Sequence, residues 1–311
     1  MPHVATQPAT VRPFLKWAGG KRQLLRELRR FVPASFAGYH EPFLGSGAMF
    51  FDLWRQERLE GVPCRLGDAN ADLIGVYQTL ARDVDGVIRE LRALALAHEK
   101  QGAAAYYRVR DELFNPQRRS RSFTTAAAYP AALAAMFIYL NRTGYNGLFR
   151  LNSRGDFNVP MGRYAAPRIC DEAALRAAGT VLSSPSVHLM VESYTRLVET
   201  ARPGDLVYFD PPYSPLSSTA RFTAYTPASF SDDDQRVLQQ LVLRLAASGC
   251  WLIVSNSTAA LVTELYDNAE AKAAGLRAYR IPARRAINSK ATRRGSISEY
   301  IISNVPRAPS R

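Results

Sequence analysis

Three short apolar runs bounded by turn residues read as buried strands: Asp205-Leu-Val-Tyr-Phe-Asp210, Cys250-Trp-Leu-Ile-Val-Ser255 and Glu299-Tyr-Ile-Ile-Ser303. Between the first two, Val237, Leu238, Leu241 and Leu245 recur at helical spacing, Ser231 with Asp234 resembles a capping box, and Gly249 stands at a C-cap position. This strand, helix, strand alternation predicts an α/β sheet with parallel strands. From about residue 76 to 179 the pattern changes. Asp83 to Ala97 and Ala126 to Leu140 read as Ala-rich helices, followed by a Gly/Asn/Arg-rich loop or hairpin from Asn141 to Pro167. The expected organisation is therefore a discontinuous domain, 1–75 and 180–311, interrupted by a mainly helical insertion, 76–179.

Composition narrows the class. With 311 residues, 47% of them hydrophobic, the chain can bury a sizeable core, which excludes disorder as its main state. No apolar window reaches membrane-spanning length and no signal-type segment opens the chain, so a cytoplasmic protein without a membrane partner is expected. Cys64, Cys170 and Cys250 have no paired spacing, and the four histidines no metal-ligand spacing; neither a disulfide framework nor a metal site is expected. The net charge is +13, carried by 35 arginines and five lysines. Codon bias accounts for Arg over Lys, but not for the excess of base over acid. That excess is patchy: eight basic residues and no acid between Lys272 and Ser298, a cluster at Arg118, Arg119 and Arg121, and another at Arg142, Arg150, Arg154, Arg163 and Arg168. Localised positive charge points to a polyanion such as nucleic acid.

Two constellations carry chemistry. Gly45-Ser-Gly47 lies between a strand-like run and an apolar helix start, where glycines let backbone N–H groups approach a ligand. Asp68 follows Gly47 by 21 residues, the distance at which an acid accepts hydrogen bonds from ribose hydroxyls, while Phe50 occupies the place of the third glycine of a dinucleotide fingerprint and argues for another ribose-bearing ligand. Upstream, Trp17 in the Phe14–Leu25 segment reads as a core anchor or as a ligand contact, with Lys16 and Lys21 flanking it. The second constellation is Asp210-Pro211-Pro212-Tyr213, where two prolines stop an apolar strand. A carboxylate, a stiff carbonyl and an aromatic ring at a strand's C-terminal end suit activation of an exocyclic amine. Asp210 and the Pro211 carbonyl can take its N–H bonds and localise its lone pair, while Tyr213 stacks on the base.

The segments F-L-K-W-A-G-G-K (14–21), E-P-F-L-G-S-G (41–47), G-D-A-N-x-D-L-I (67–74), N-R-x-G-Y-N-G-L-x-R (141–150), G-x-F-N-V-P-x-G-R-Y (155–164), D-P-P-Y (210–213) and F-T-A-Y (222–225) occur in this order. The chain thereby resembles the Dam-type DNA adenine-N6 methyltransferases, of class alpha or the D12 class. The resemblance implies a Rossmann-like S-adenosylmethionine-dependent methyltransferase sheet and a mainly helical target-recognition domain with a β-hairpin. It implies methyl transfer to adenine N6 in duplex DNA at GATC, by base flipping and direct in-line displacement, with S-adenosylhomocysteine as product. The donor-binding positions it implies are Trp17, Lys21, Phe43, Gly45, Gly47, Asp68 and Asp210.

A hairpin of Leu148 to Leu151, a turn at Asn152 to Gly155, and Asp156 to Pro160 can enter a major groove. The resemblance implies DNA contacts at Lys16, Tyr145, Asn146, Leu148, Arg150, Asn158 and Pro160, with Arg150 reading guanine and Tyr145 and Asn146 filling the duplex beside the displaced base. Phe149, Leu151, Ser153 and Met161 depart from the Dam pattern. Arg284, Arg285, Arg293 and Arg294 follow the family's basic C-terminal pattern loosely and are expected to contact phosphate. The polar triplet Ser255-Asn256-Ser257 receives no role. A monomer is expected, with a nuclease as a possible partner. Competing readings are the same chemistry on cytosine N4 or RNA, and an inactive DNA-binding relative.

Overall fold

The structure, a computed structural model, describes residues 11–17, 19, 21–120, 129–213, 230–284 and 296–309. The chain forms two compact units. Met1–Gly20, Gly45–Glu60 and Asn70–Val187 make the first, and Lys21–Leu44, Gly61–Ala69 and His188–Arg311 the second.

The first unit is helical. Helix α1 (Ala48–Arg55) starts after Gly47, helix α2 (Ala71–Arg82) is capped by the Asn70 side chain, and helix α3 (Val84–Gln101) by that of Asp83. The near-continuous apolar run expected to be a helix is α4 (Ala131–Thr143), with Leu133 to Asn141 all buried against α2 and α3. Helix α5 (Glu172–Leu182) packs on α2 through Gly179, where a Cβ would come within 3.1 Å of the Leu80 carbonyl. Between α3 and α4 the chain forms a short helix (Ala103–Arg108), a π-helical turn (Val109–Phe114) and a last turn (Asn115–Arg119). After α4 comes the expected hairpin. It is held by isolated antiparallel bridges, Leu151 to Phe157 and Gly144 to Met161, rather than by a continuous ladder.

The second unit carries a sheet of β1 (Tyr39–Glu41), β2 (Cys64–Asp68), β3 (Val187–Val191), β4 (Leu206–Phe209), β5 (Trp251–Ser257), β6 (Arg277–Arg284) and β7 (Ser296–Ser303), in the order β3-β2-β1-β4-β5-β7-β6. The pairs β2/β1, β1/β4 and β4/β5 are parallel, as expected. The expectation of parallel strands fails at β7, which runs antiparallel to both β5 and β6. Eleven residues separate β6 from β7, fewer than the dozen or more that a parallel crossover requires. The strand order reverses between β1 and β4, and a crevice at such a switch point, beyond the C-terminal strand ends, is where open α/β sheets bind ligands. Helix α6 (Asp232–Ala247) has the expected capping box and buries Leu238, Leu241 and Leu245 with Val207, Phe209, Leu252 and Val254. Val237, read from the sequence as part of the same stripe, is 50% exposed. Among the described residues no helix is long and apolar enough to cross a membrane.

Candidate functional site

The second unit assembles a charged cluster at the switch point. All four residues of β4 are buried, so the strand is an anchored rod that delivers Asp210 at its end. Asp210 Oδ1 lies 2.7 Å from Lys21 Nζ, whose side chain is only 6% exposed. Lys21 is the charge partner of Asp210, and a carboxylate offers about four lone-pair sites, so beside that contact it keeps acceptor capacity. Lys21 Nζ also stands 4.3 Å above the centre of the Tyr213 ring, and the Tyr213 hydroxyl donates to Glu299 Oε2 at 2.6 Å. Burial raises the pKa of Asp210 above the ordinary carboxylate value; Lys21 opposes that rise and Glu299 adds to it. Burial, with the Asp210 and Glu299 carboxylates nearby, lifts the Tyr213 phenol well above its ordinary value and keeps it a neutral donor.

A second tier holds the two prolines. Gln235 of α6 donates to the Pro212 carbonyl at 3.1 Å, and Asn256 of β5 donates to Gln235 at 2.9 Å. Both amides are fully buried, so their bonds to each other and to the turn meet the cost of removing them from water. Behind them the Tyr208 hydroxyl shares a hydrogen bond with Ser255.

Further donor positions lie in each unit. In the second, Asp68 ends β2 and is half-buried, while Phe43 stacks on Tyr194 at 5.1 Å and meets the edge of Phe230 at 5.7 Å. In the first, Gly45 and Gly47 take φ of 48° and 63°, which disfavour a side chain. A Cβ on Gly45 would come within 2.9 Å of Trp17 Cδ1, and the Gly45 carbonyl accepts from Tyr77. Helix α1 begins at Gly47 with no side-chain cap, so its first turn offers backbone N–H groups to an anion. Taken unit by unit, the second offers a carboxylate and an aromatic wall, the donor set a nucleoside such as that of S-adenosylmethionine requires, and the first offers an uncapped helix start able to take a carboxylate. Trp17 sits in an aromatic stack, 6.4 Å from Phe137 and 6.2 Å from Phe149.

The first unit also carries the expected recognition residues. Asn141 clamps two segments, accepting from Lys16 N–H and donating to the Lys16 and Gly147 carbonyls. The Lys16 ammonium lies 3.8 Å over the Tyr164 ring, and its pKa is lowered by burial and by the charge of Arg142. Tyr145 is 44% exposed, and Asn146 adopts a left-handed φ of 54°, a costly conformation for a residue with a side chain. On the hairpin, Arg150 Nε donates to Asn158 Oδ1 at 2.8 Å, so these two expected DNA contacts orient each other; Leu148 is half-buried and Pro160 exposed.

Segment 103–119 holds the return strand of the hairpin from behind. Tyr106 and Arg110 both donate to the Val159 carbonyl, Asn115 exchanges two hydrogen bonds with Phe157, Arg119 pairs with Asp156, and Arg118 donates to the Gly155 carbonyl. Arg118 also pairs with Asp72, which is 3% exposed. Thus Arg118 and Arg119, read from the sequence as part of a basic patch, are engaged with the protein itself.

Sequence reasoning missed Glu299, Gln235, Asn141 and Tyr164, and gave Asn256 no role. A signal existed for two of them: Asn256 lies in a polar triplet at a strand end, and Glu299 is the one acid in residues 271–311. Arg284 ends β6, whereas Arg285, Arg293, Arg294 and the F-T-A-Y segment lie outside the described residues.

The family model described as D12 class N6 adenine-specific DNA methyltransferase matches residues 17–280. The Type II methyltransferase M.MjaIII of Methanocaldococcus jannaschii is 37% identical over 306 residues, covering 94% of this chain and 99% of its own. The Type II methyltransferase M1.LlaDCHI of Lactococcus lactis subsp. cremoris is 35% identical over 94% of this chain and 95% of its own. The DNA adenine methylase of Escherichia coli (strain K12) is 34% identical over 93% and 94%. Similarity over nearly the full length, in both directions, embraces the sheet, the Asp210 cluster and the hairpin together. The chain belongs to the D12 class of N6 adenine-specific DNA methyltransferases.

Proposed function

We propose that this adenine-specific DNA methyltransferase modifies GATC in duplex DNA, acting on an adenine flipped out of the helix. The observation that carries the chemical part is the Asp210 cluster: a buried carboxylate oxygen with spare acceptor capacity, next to a neutral tyrosine at a strand end. Asp210 and the Pro211 carbonyl accept the two N6–H bonds and draw the nitrogen lone pair out of the ring. Tyr213 stacks on the base, a contact worth about 1–3 kcal/mol in single-strand binders. Lys21 opposes the rise that burial gives the Asp210 carboxyl. In the second unit Asp68 suits ribose hydroxyls and Phe43 offers an aromatic wall for an adenine; in the first, the Gly45/Gly47 turn suits a methionine part, with Trp17 beside Gly45. S-adenosylmethionine supplies a methyl group on a sulfonium, so the protein needs only to align two reactants, a task that accounts for large rate factors by itself. Extruding the adenine costs a few kcal/mol, offset by stacking and by the N6 hydrogen bonds.

Residues 76–179 serve as the target-recognition domain, inserted between methyltransferase segments 1–75 and 180–311. Within it, Arg150 reads guanine while Asn158 orients it, Leu148 and Pro160 line the same hairpin, and Tyr145 and Asn146 enter the duplex; Lys16, outside it in sequence, reads the outer guanine. Arg284, Arg285, Arg293 and Arg294 contact phosphate. GATC follows from the match of these positions to the Dam pattern, and DNA adenine methylase is the name of several relatives.

The test is expression in a host that lacks adenine methylation, followed by mapping of modified bases in its DNA. N6-methyladenine confined to GATC is the expected result. Methyladenine in another motif overturns the site assignment, and unmodified DNA in the presence of folded, donor-binding protein overturns the activity.

A further inference from the structure

Residues 271–311 contain ten basic residues and a single acid, Glu299. An isolated carboxylate in so basic a stretch would be expected to pair with one of those cations. Among the described residues its Oε2 accepts the Tyr213 hydroxyl at 2.6 Å, 86 residues away in sequence. Glu299 is carried on β7, where it lies opposite Ser257 of β5 and Ile281 of β6, so paired strands on both sides fix its backbone. Tyr213, by contrast, follows two prolines beyond the end of β4. No ladder hydrogen bond fixes it, and its ring is set by two side-chain torsions. Two contacts restrain them: the Lys21 ammonium over the ring and the Glu299 carboxylate at the hydroxyl tip. The first is also paired directly with Asp210; the second is hydrogen-bonded to Tyr213.

We propose that Glu299 is a positioning residue for methyl transfer, locking the Tyr213 ring at the angle in which it stacks on the target adenine and presents N6 to Asp210. This rests on the assignment of Tyr213 and Asp210 above. A tie at the far end of the ring is mechanically effective. A small rotation about the Cα–Cβ bond moves the hydroxyl furthest, so a tie there fixes that torsion; the hydroxyl lies on the Cβ–Cγ axis, and the tilt of the ring about that axis is left to the Lys21 ammonium over its face. The carboxylate has a second effect, because its charge adds to the rise of the Asp210 pKa and makes Asp210 a stronger acceptor once ionised. The groups facing Asp210 are Lys21, Glu299, Tyr213 and Tyr208, and Glu41 in turn faces Tyr208.

The experiment compares Glu299→Ala, Glu299→Gln, Tyr213→Phe and the double variant Tyr213→Phe/Glu299→Ala in single-turnover methylation of a duplex oligonucleotide. Binding of S-adenosylmethionine and of DNA is measured in parallel. Glu299→Ala and Tyr213→Phe should each lower the transfer rate about 10- to 100-fold, the scale of a misplaced reactant, with both binding constants within a few fold. The double variant should be no slower than the slower single variant, because both remove one hydrogen bond. Glu299→Gln keeps an acceptor and should restore most of the rate. It should also shift the acid limb of the pH–rate profile down by about half a unit, since the like charge beside Asp210 is gone. Additive losses, or an unchanged rate in Glu299→Ala, overturn the role of Glu299. If Glu299→Ala does not fold, a Tyr213→Phe variant that transfers methyl at the unaltered rate overturns it. Failure of the unaltered protein to methylate adenine overturns the assignment on which the proposal rests, and is read separately in the same assay.

Discussion

The Asp210 cluster and the recognition hairpin are built by opposite means. The cluster takes residues from or just beyond paired strands: Asp210 follows β4, which pairs with β5 along its whole length and with β1 at Leu206 and Val207, and Glu299 lies within β7, paired by β5 and β6. Backbone geometry sets those positions, and side chains only refine them. The hairpin has isolated bridges and gains its shape from outside, through the side chains of Tyr106, Arg110, Asn115, Arg118 and Arg119 bound to the return strand between Gly155 and Val159. A hairpin shaped this way can be re-aimed by substitutions behind it without disturbing the strand ladders; on the proposed roles, the sequence read can change while the Asp210 cluster stays as it is.

The contrast is broken most severely behind the hairpin. Arg118→Met leaves Asp72 buried without its charge partner and should cost about 3–5 kcal/mol of stability, measured by urea unfolding, whereas an exposed arginine would cost almost nothing. Asp210→Ala should lower methyl transfer by about 10² to 10³, by analogy with loss of one preorganised oxyanion-hole group, while a gel-shift assay finds DNA affinity within a few fold. Equal loss of binding would mean that the cluster is part of the reading surface. Arg150→Ala should relax selection at one guanine, by about 1–3 kcal/mol of discrimination, seen as new methylated sequences in a random-site library. An unchanged motif would remove Arg150 from the reading surface. The smallest effect belongs to Arg293→Ala, which should weaken all sequences alike and reduce the salt slope of binding by about one unit.

Much of this was legible along the chain because the relevant forces are local. The apolar run ending at Phe209 and the two prolines after Asp210 define a strand end without reference to anything else. The α6 cap at Ser231 and Asp234 is likewise a matter of four residues. The antiparallel course of β7 was not legible, since Glu299 to Ser303 has the same apolar run whichever way it pairs. Val237 shares the helical spacing of its neighbours, yet points to solvent because α6 covers the sheet with only one stripe. Arg118 and Arg119 misled for a related reason: charge is visible in sequence, but its partner is not.

The sequence by itself determined the family, through motifs in fixed order, and the chemistry, since the side chains that suit amine activation are contiguous at 210–213. Tertiary structure decided which distant residues support that tetrapeptide. Lys21, Gln235 and Glu299 reach it from a short helical turn, a helix and a strand, and Asn256 of β5 supports it through Gln235. Each contact depends on strand register and helix packing over separations of 21 to 189 residues, which no local pattern encodes.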